Sequence, residues 1–165
     1  MTELHEPRVN PDGSYNTFTI KKEGAIDVVT LNRPEALNAL SREMMLELQH
    51  YFGKLYTDYT VRVVVLTGAG RGFCSGLDLK EDRSDEPGGV VGGMQTQRRV
   101  SEIMLRMRRA PQPIISLING PASGGGFGLA LASDIRIATP SVRMNAAFIR
   151  IGLSACDVGA VSYTH

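Results

Sequence analysis

With 165 residues, 18 lysines and arginines against 17 aspartates and glutamates, and 42% apolar side chains, the chain is long enough for one domain with its own core. Its formal charge of +1 gives no basis for a nucleic-acid partner or for attraction to an anionic membrane. Two cysteines, Cys74 and Cys156, are too few for a disulfide framework and lack zinc-site spacing, the start from Met1 to Pro7 is too polar for a signal peptide, and no apolar run approaches the ~20 residues that span a bilayer, so a soluble cytoplasmic protein is expected.

Residues 1–16 form a loose polar leader, and a core is expected over 17–165. Phe18 and Ile20 alternate with polar neighbours, Lys22-Glu23-Gly24 turns, and Ile26 to Leu31 returns, which predicts a β-hairpin. Pro34 ends it. Ser41 is suited to cap a helix over 42–56, with Met45, Leu48, Phe52 and Leu55 on one buried stripe. The β-branched run Val61 to Leu66 predicts a strand buried on both faces. Gly68, Gly70, Gly72 and Gly76 make a glycine-rich turn, and Lys80 to Gly93 predicts a mobile loop. A second helix is expected over 95–109, ringed by Arg98, Arg99, Arg106, Arg108 and Arg109. These arginines suit either a phosphate-rich ligand or a solvated helix face. Ile114 to Ile118 is another apolar strand, Asn119-Gly120-Pro121 a turn, and Gly124-Gly125-Gly126 opens a short apolar helix ending at Ala132. Two short strands follow at 134–138 and 142–145. Strands alternating with helices imply an α/β fold.

Eighteen glycines require an explanation. Two strand-to-glycine turns in one sheet could each present a bare backbone N–H, and the second opens a helix whose first amides lack intrahelical acceptors. Two such donors aimed at one oxygen form an oxyanion hole; ordinary tight turns are the alternative. Gly68-Ala69-Gly70-Arg71-Gly72 has neither the spacing of a dinucleotide fingerprint nor the Lys-Ser/Thr of a phosphate loop. Gly72-Phe73-Cys74-Ser75-Gly76 has the form of a thiol nucleophile elbow, but none of His5, His50 and His165 follows a strand where its base belongs. Cys74 therefore fits a small packing residue better.

Four ordered motifs resemble the crotonase family, the enoyl-CoA hydratases and isomerases: Leu31-Asn32-Arg33-Pro34 with Leu37-Asn38-Ala39-Leu40, Val63 to Gly68, Phe73 to Leu79, and Ile118 to Gly126. The resemblance runs from about residue 17 to residue 159. It implies a spiral of ββα turns followed by a helical C-terminal region that builds homotrimers or dimers of trimers. That region is expected to be missing here, leaving apolar surface exposed. It also implies an acyl-CoA thioester ligand, with the backbone N–H groups of Leu77 and Gly125 holding the thioester oxygen. Ala39, Leu40, Leu77, Asp78, Leu79, Lys80 and Gly125 would line the substrate. No metal and no separate cofactor would be required, coenzyme A being part of the substrate.

The chain departs from the hydratase pattern at both glutamate positions, which carry Gly128 and Phe148. Neither can activate water or move a proton, and Ala146-Ala147-Phe148 would make the pocket drier. Asp157 falls near a position where some branches carry an acidic catalytic residue, and it is the acid/base candidate; bracing a turn is its other reading. Asp78 is expected to turn its side chain to neighbouring backbone N–H groups. Three functions remain open: a hydratase or isomerase using Asp157, a non-catalytic acyl-CoA binding or assembly subunit, and a thiol hydrolase through Cys74.

Overall fold

The computed structural model describes residues 9–147. Its first elements are β1 (Phe18–Glu23) and β2 (Ile26–Leu31), an antiparallel hairpin with Phe18 opposite Leu31 and Glu23 opposite Ile26. From β2 onward every neighbour is parallel: β2 pairs with β3 (Val63–Gly68), β3 with β4 (Ile114–Ile118), and β4 with β6 (Ile135–Ala138). Parallel neighbours need long crossovers. These are made by α1 (Arg42–Leu55), α2 (Gly89–Arg109) and α3 (Gly125–Ala132). A second, two-stranded parallel sheet pairs β5 (Ala122–Ser123) with β7 (Met144–Asn145).

The helix α1 begins where its cap predicts. The Ser41 hydroxyl accepts the Met44 N–H at 3.2 Å, and Met44, Met45, Leu48, Phe52 and Leu55 are buried against the sheet. On β3 the burial alternates: Val64 and Leu66 are fully buried while Val63 and Val65 are only half-buried. The expected two-sided burial is thus not what the described residues show. A β-branched run looks continuous in sequence, yet its side chains still project alternately to two faces. The less covered face carries Ile115, Leu117, Ile135 and Ile137, with Ile137 56% exposed.

Four further expectations are corrected. The strand occupies 63–68 rather than 61–66. The second helix starts at Gly89, six residues before the expected start, and one of its early glycines, Gly92, is a site of close approach: any side chain on it would strike the Pro87 carbonyl. The segment between Lys80 and that helix is tethered. Glu81 accepts the Arg42 N–H, Arg83 pairs with Glu81, Arg42 pairs with Asp85 and Glu86, and Arg99 also reaches Glu86. Nor is the end of the leader loose. Tyr15 stacks on Phe18, and the buried carboxylate of Glu47 accepts the backbone N–H groups of Asn16 and Thr17.

Candidate functional site

The site begins in the segment after β2. Leu37 and Asn38 both take left-handed backbone angles, φ 51° and 55°, a region unfavourable for leucine and tolerated by asparagine. Buried Asn38 makes the bend stable. Its Nδ2 donates to the carbonyls of Ala69 and Gly72 at 3.0 and 2.9 Å, and its Oδ1 accepts the Arg33 N–H at 2.9 Å. The bend delivers Leu40 alongside Leu77 in a parallel bridge.

In that bridge the Leu40 N–H donates to Gly76 O at 2.7 Å and the Asp78 N–H to Leu40 O at 3.0 Å. The peptide joining Gly76 to Leu77 is planar and trans, so a carbonyl pointing to Leu40 sends the Leu77 N–H the opposite way. Gly76, at φ 93°, is where the alternation breaks: Cys74 uses both its N–H and its carbonyl on the Pro121–Ser123 side, whereas two residues on the Gly76 carbonyl has crossed to Leu40. Glycine also fits because a methyl here would lie 2.7 Å from Ser123 O and 3.3 Å from Gly125 N.

Gly125 is the first residue of α3, so its N–H has no intrahelical acceptor. The neighbouring Gly124 N–H is held by Asn145 O at 2.9 Å. A side chain on Gly126 would collide with the Cys74 carbonyl, so the start of α3 lies against the first loop backbone to backbone. Leu40 and Val100 pack beside Gly125: a methyl on it would meet Leu40 Cδ1 at 2.8 Å and Val100 Cγ1 at 3.5 Å. The Leu77 N–H thus points away from Leu40, and Gly125 N lies close to Gly76, within 3.3 Å of where a Gly76 side chain would begin. Neither has an acceptor among the described residues.

Around them, Ala39 and Leu40 are buried, Leu77 and Asp78 partly so, and Leu79 and Lys80 exposed. The Asp78 carboxylate bonds Arg33 Nη2 at 2.9 Å and the Lys80 N–H at 3.1 Å. Burial alone would raise its pKa, but Arg33 and the Lys80 N–H outweigh burial and hold it below the usual carboxylate range. Cys74 is fully buried, and burial pushes its thiol up to about 12, leaving almost no thiolate at neutral pH. Gly128 is buried on α3 and carries no acid. Asp157 and Phe148 lie outside the described residues. Among the described residues no three His, Cys, Asp or Glu side chains gather as metal ligands, and no helix is long and apolar enough to cross a membrane.

Of the α2 arginines, Arg99, Arg106 and Arg108 pair with Glu86, Glu102 and Asp134. Sequence reasoning missed the supporting roles of Arg33, Asn38 and Asn119. Asn119 mirrors Asn38 on the other side of the first loop, donating to Gly68 O at 2.7 Å and Gly70 O at 3.0 Å while accepting the Gly68 N–H at 3.2 Å. The available signal was an asparagine beside each glycine turn, inside the motifs themselves.

The sequence profile described as Enoyl-CoA hydratase/isomerase matches residues 21–164. The chain belongs to that family. It is 42% identical over 141 residues to a Mycobacterium leprae protein named "Probable enoyl-CoA hydratase echA12", covering 81% of this chain and 47% of that protein. It is 41% identical over 133 residues to the 1,2-epoxyphenylacetyl-CoA isomerase of Escherichia coli, covering 79% and 50%. An enoyl-CoA hydratase structure from Mycobacterium smegmatis superposes with TM-score 0.81 at 33% identity, over 90% of this chain and 57% of the other. The fold is thus the crotonase-like α/β fold, and the chain spans about half the length of the curated relatives it matches.

Proposed function

We propose that the protein acts on an acyl-CoA thioester as an enoyl-CoA hydratase or isomerase, with the N–H groups of Leu77 and Gly125 donating to the thioester oxygen. The observation that supports this reading is that the Leu77 and Gly125 amides both lack an acceptor among the described residues and belong to two glycine loops that pack together at Gly76. Donors fixed in advance strengthen their hold as the thioester oxygen gains negative charge on the way to an enolate, which lowers the barrier to moving the α-proton. Asp157 is the acid/base in this reading. The stretch from Leu77 to Lys80 and the Ala39–Leu40 segment line the coenzyme A arm. Chemistry of this kind needs no metal or separate cofactor. The proposal further places the protein in the cytoplasm, with the full-length family assembly a homotrimer or dimer of trimers.

One observation favours a second reading. The position of the first hydratase glutamate is buried Gly128, which supports a non-catalytic acyl-CoA binding or assembly subunit. Titrating the full chain with crotonyl-CoA and assaying product separates the two. Turnover that Asp157→Asn abolishes, with binding retained, supports the enzyme; unchanged turnover removes Asp157 from the mechanism. Binding with no product across a panel of chain lengths supports the second reading, and absence of binding rejects both.

A further inference from the structure

A cavity of about 360 Å³ opens beside Leu77, between Leu77 and Leu79 on one wall and Gly92, Gly93 and Thr96 of α2 on the other. Two glycines inside a helix both disfavour it, so each needs a reason. Gly92 has one, since the Pro87 carbonyl occupies the space of a side chain. Gly93 has none in the packing: a methyl built on it meets nothing within 4 Å. The charged groups on the cavity wall are already engaged with protein. Arg83 bonds Glu81 and the Thr96 hydroxyl, and Glu86 bonds Arg42 and Arg99. A ligand in the cavity would therefore meet leucine side chains and bare helix backbone rather than free charge.

The helix supplies the direction. Val100 packs where a Gly125 side chain would begin, and Gly93 lies seven residues earlier on α2. Seven residues are about two helical turns, or about 10 Å, and return to nearly the same face. From these observations we propose that Gly93 is a specificity-determining residue, leaving room for an uncharged, apolar acyl group that runs from the Leu77 and Gly125 amides along α2. This rests on the thioester reading above and adds to it the size and polarity of the acyl group.

The test compares the full chain with Gly93→Leu and Gly93→Ala, titrating each with crotonyl-CoA and decenoyl-CoA by calorimetry. In Gly93→Leu, decenoyl-CoA binding is expected to weaken about tenfold or more while crotonyl-CoA changes less than about twofold, the usual scale for steric loss in an apolar pocket. Equal shifts for both esters, or none, overturn the role of Gly93 and leave the thioester reading intact. Failure of the parent chain to bind either ester overturns both. If Gly93→Leu does not melt cooperatively, Gly93→Ala, a favourable change in a helix interior, decides by the same comparison. A smaller loss confined to decenoyl-CoA supports the proposal, and a loss independent of length overturns it.

Discussion

The two glycine loops that flank the candidate site are built in different ways. The first, from Gly68 to Lys80, is positioned by polar side chains: Asn38 and Asn119 grip its carbonyls from both sides, and Arg33 fixes Asp78 at its end. The second, from Gly120 to Gly126, is positioned chiefly by backbone contact and by the absence of side chains. Gly120 lies against the Arg71 backbone and Gly126 against that of Cys74. Each loop contributes one of the two amides proposed to hold the thioester oxygen, Leu77 and Gly125. A loop held by hydrogen bonds should weaken by degrees as bonds are removed, whereas a loop held by close approach should fail when a single methyl intrudes.

The largest expected effect is therefore in the second loop. Gly126→Ala places a methyl into the Cys74 carbonyl and should cost about 3 to 4 kcal/mol, as forced overpacking does at its upper end. Chemical denaturation would measure the loss, and a loss under about 1 kcal/mol would show that α3 can slide away from the first loop. In the first loop, Asn38→Ala strands two carbonyls and an N–H, and should cost about 2 to 3 kcal/mol. If it proved as damaging as Gly126→Ala, the contrast between graded and abrupt failure would not hold.

Asp78→Asn should cost only about 1 kcal/mol, because the Arg33 pair is partly open to solvent. Its sharper signature is in pH. The folded chain holds the Asp78 carboxyl below its unfolded value near ~3.9, so the stabilisation is present above that value and is lost as pH falls through the folded one. Below about pH 4 the parent chain should lose stability more steeply than Asp78→Asn, and parallel curves would remove the Arg33 pair from the account. The smallest effect concerns Cys74. With Cys156 replaced by serine, iodoacetamide should label the folded chain at neutral pH far more slowly than the unfolded chain, by mass spectrometry, since the buried thiol titrates at about 12. Equal rates would reopen a nucleophilic role.

Much of this was legible in the residues. The hairpin turn at Gly24, the Ser41 cap and the apolar run Ile114 to Ile118 follow from local propensity and periodicity, which neighbouring residues decide among themselves. The first turns of α2 were not legible. Gly89, Gly92 and Gly93 argue locally against a helix, and the reason Gly92 is tolerated is a carbonyl five residues back that closes over it. The tether on 81–86 was equally hidden, because Arg42 lies about forty residues from its acidic partners in sequence. Asp157 and Phe148 belong to a part of the chain outside the described residues.

By itself the sequence determined the α/β class, the family, and which two loops carry glycine where backbone must approach backbone. Only the tertiary structure decided which way the Leu77 amide faces. The direction of the Leu77 N–H depends on where the Gly76 carbonyl finds its partner, and that partner is the Leu40 N–H, delivered from another part of the chain by a left-handed bend. Side-chain pattern reports burial and local turns, whereas the aim of a peptide plane is set by hydrogen bonds to residues remote in sequence.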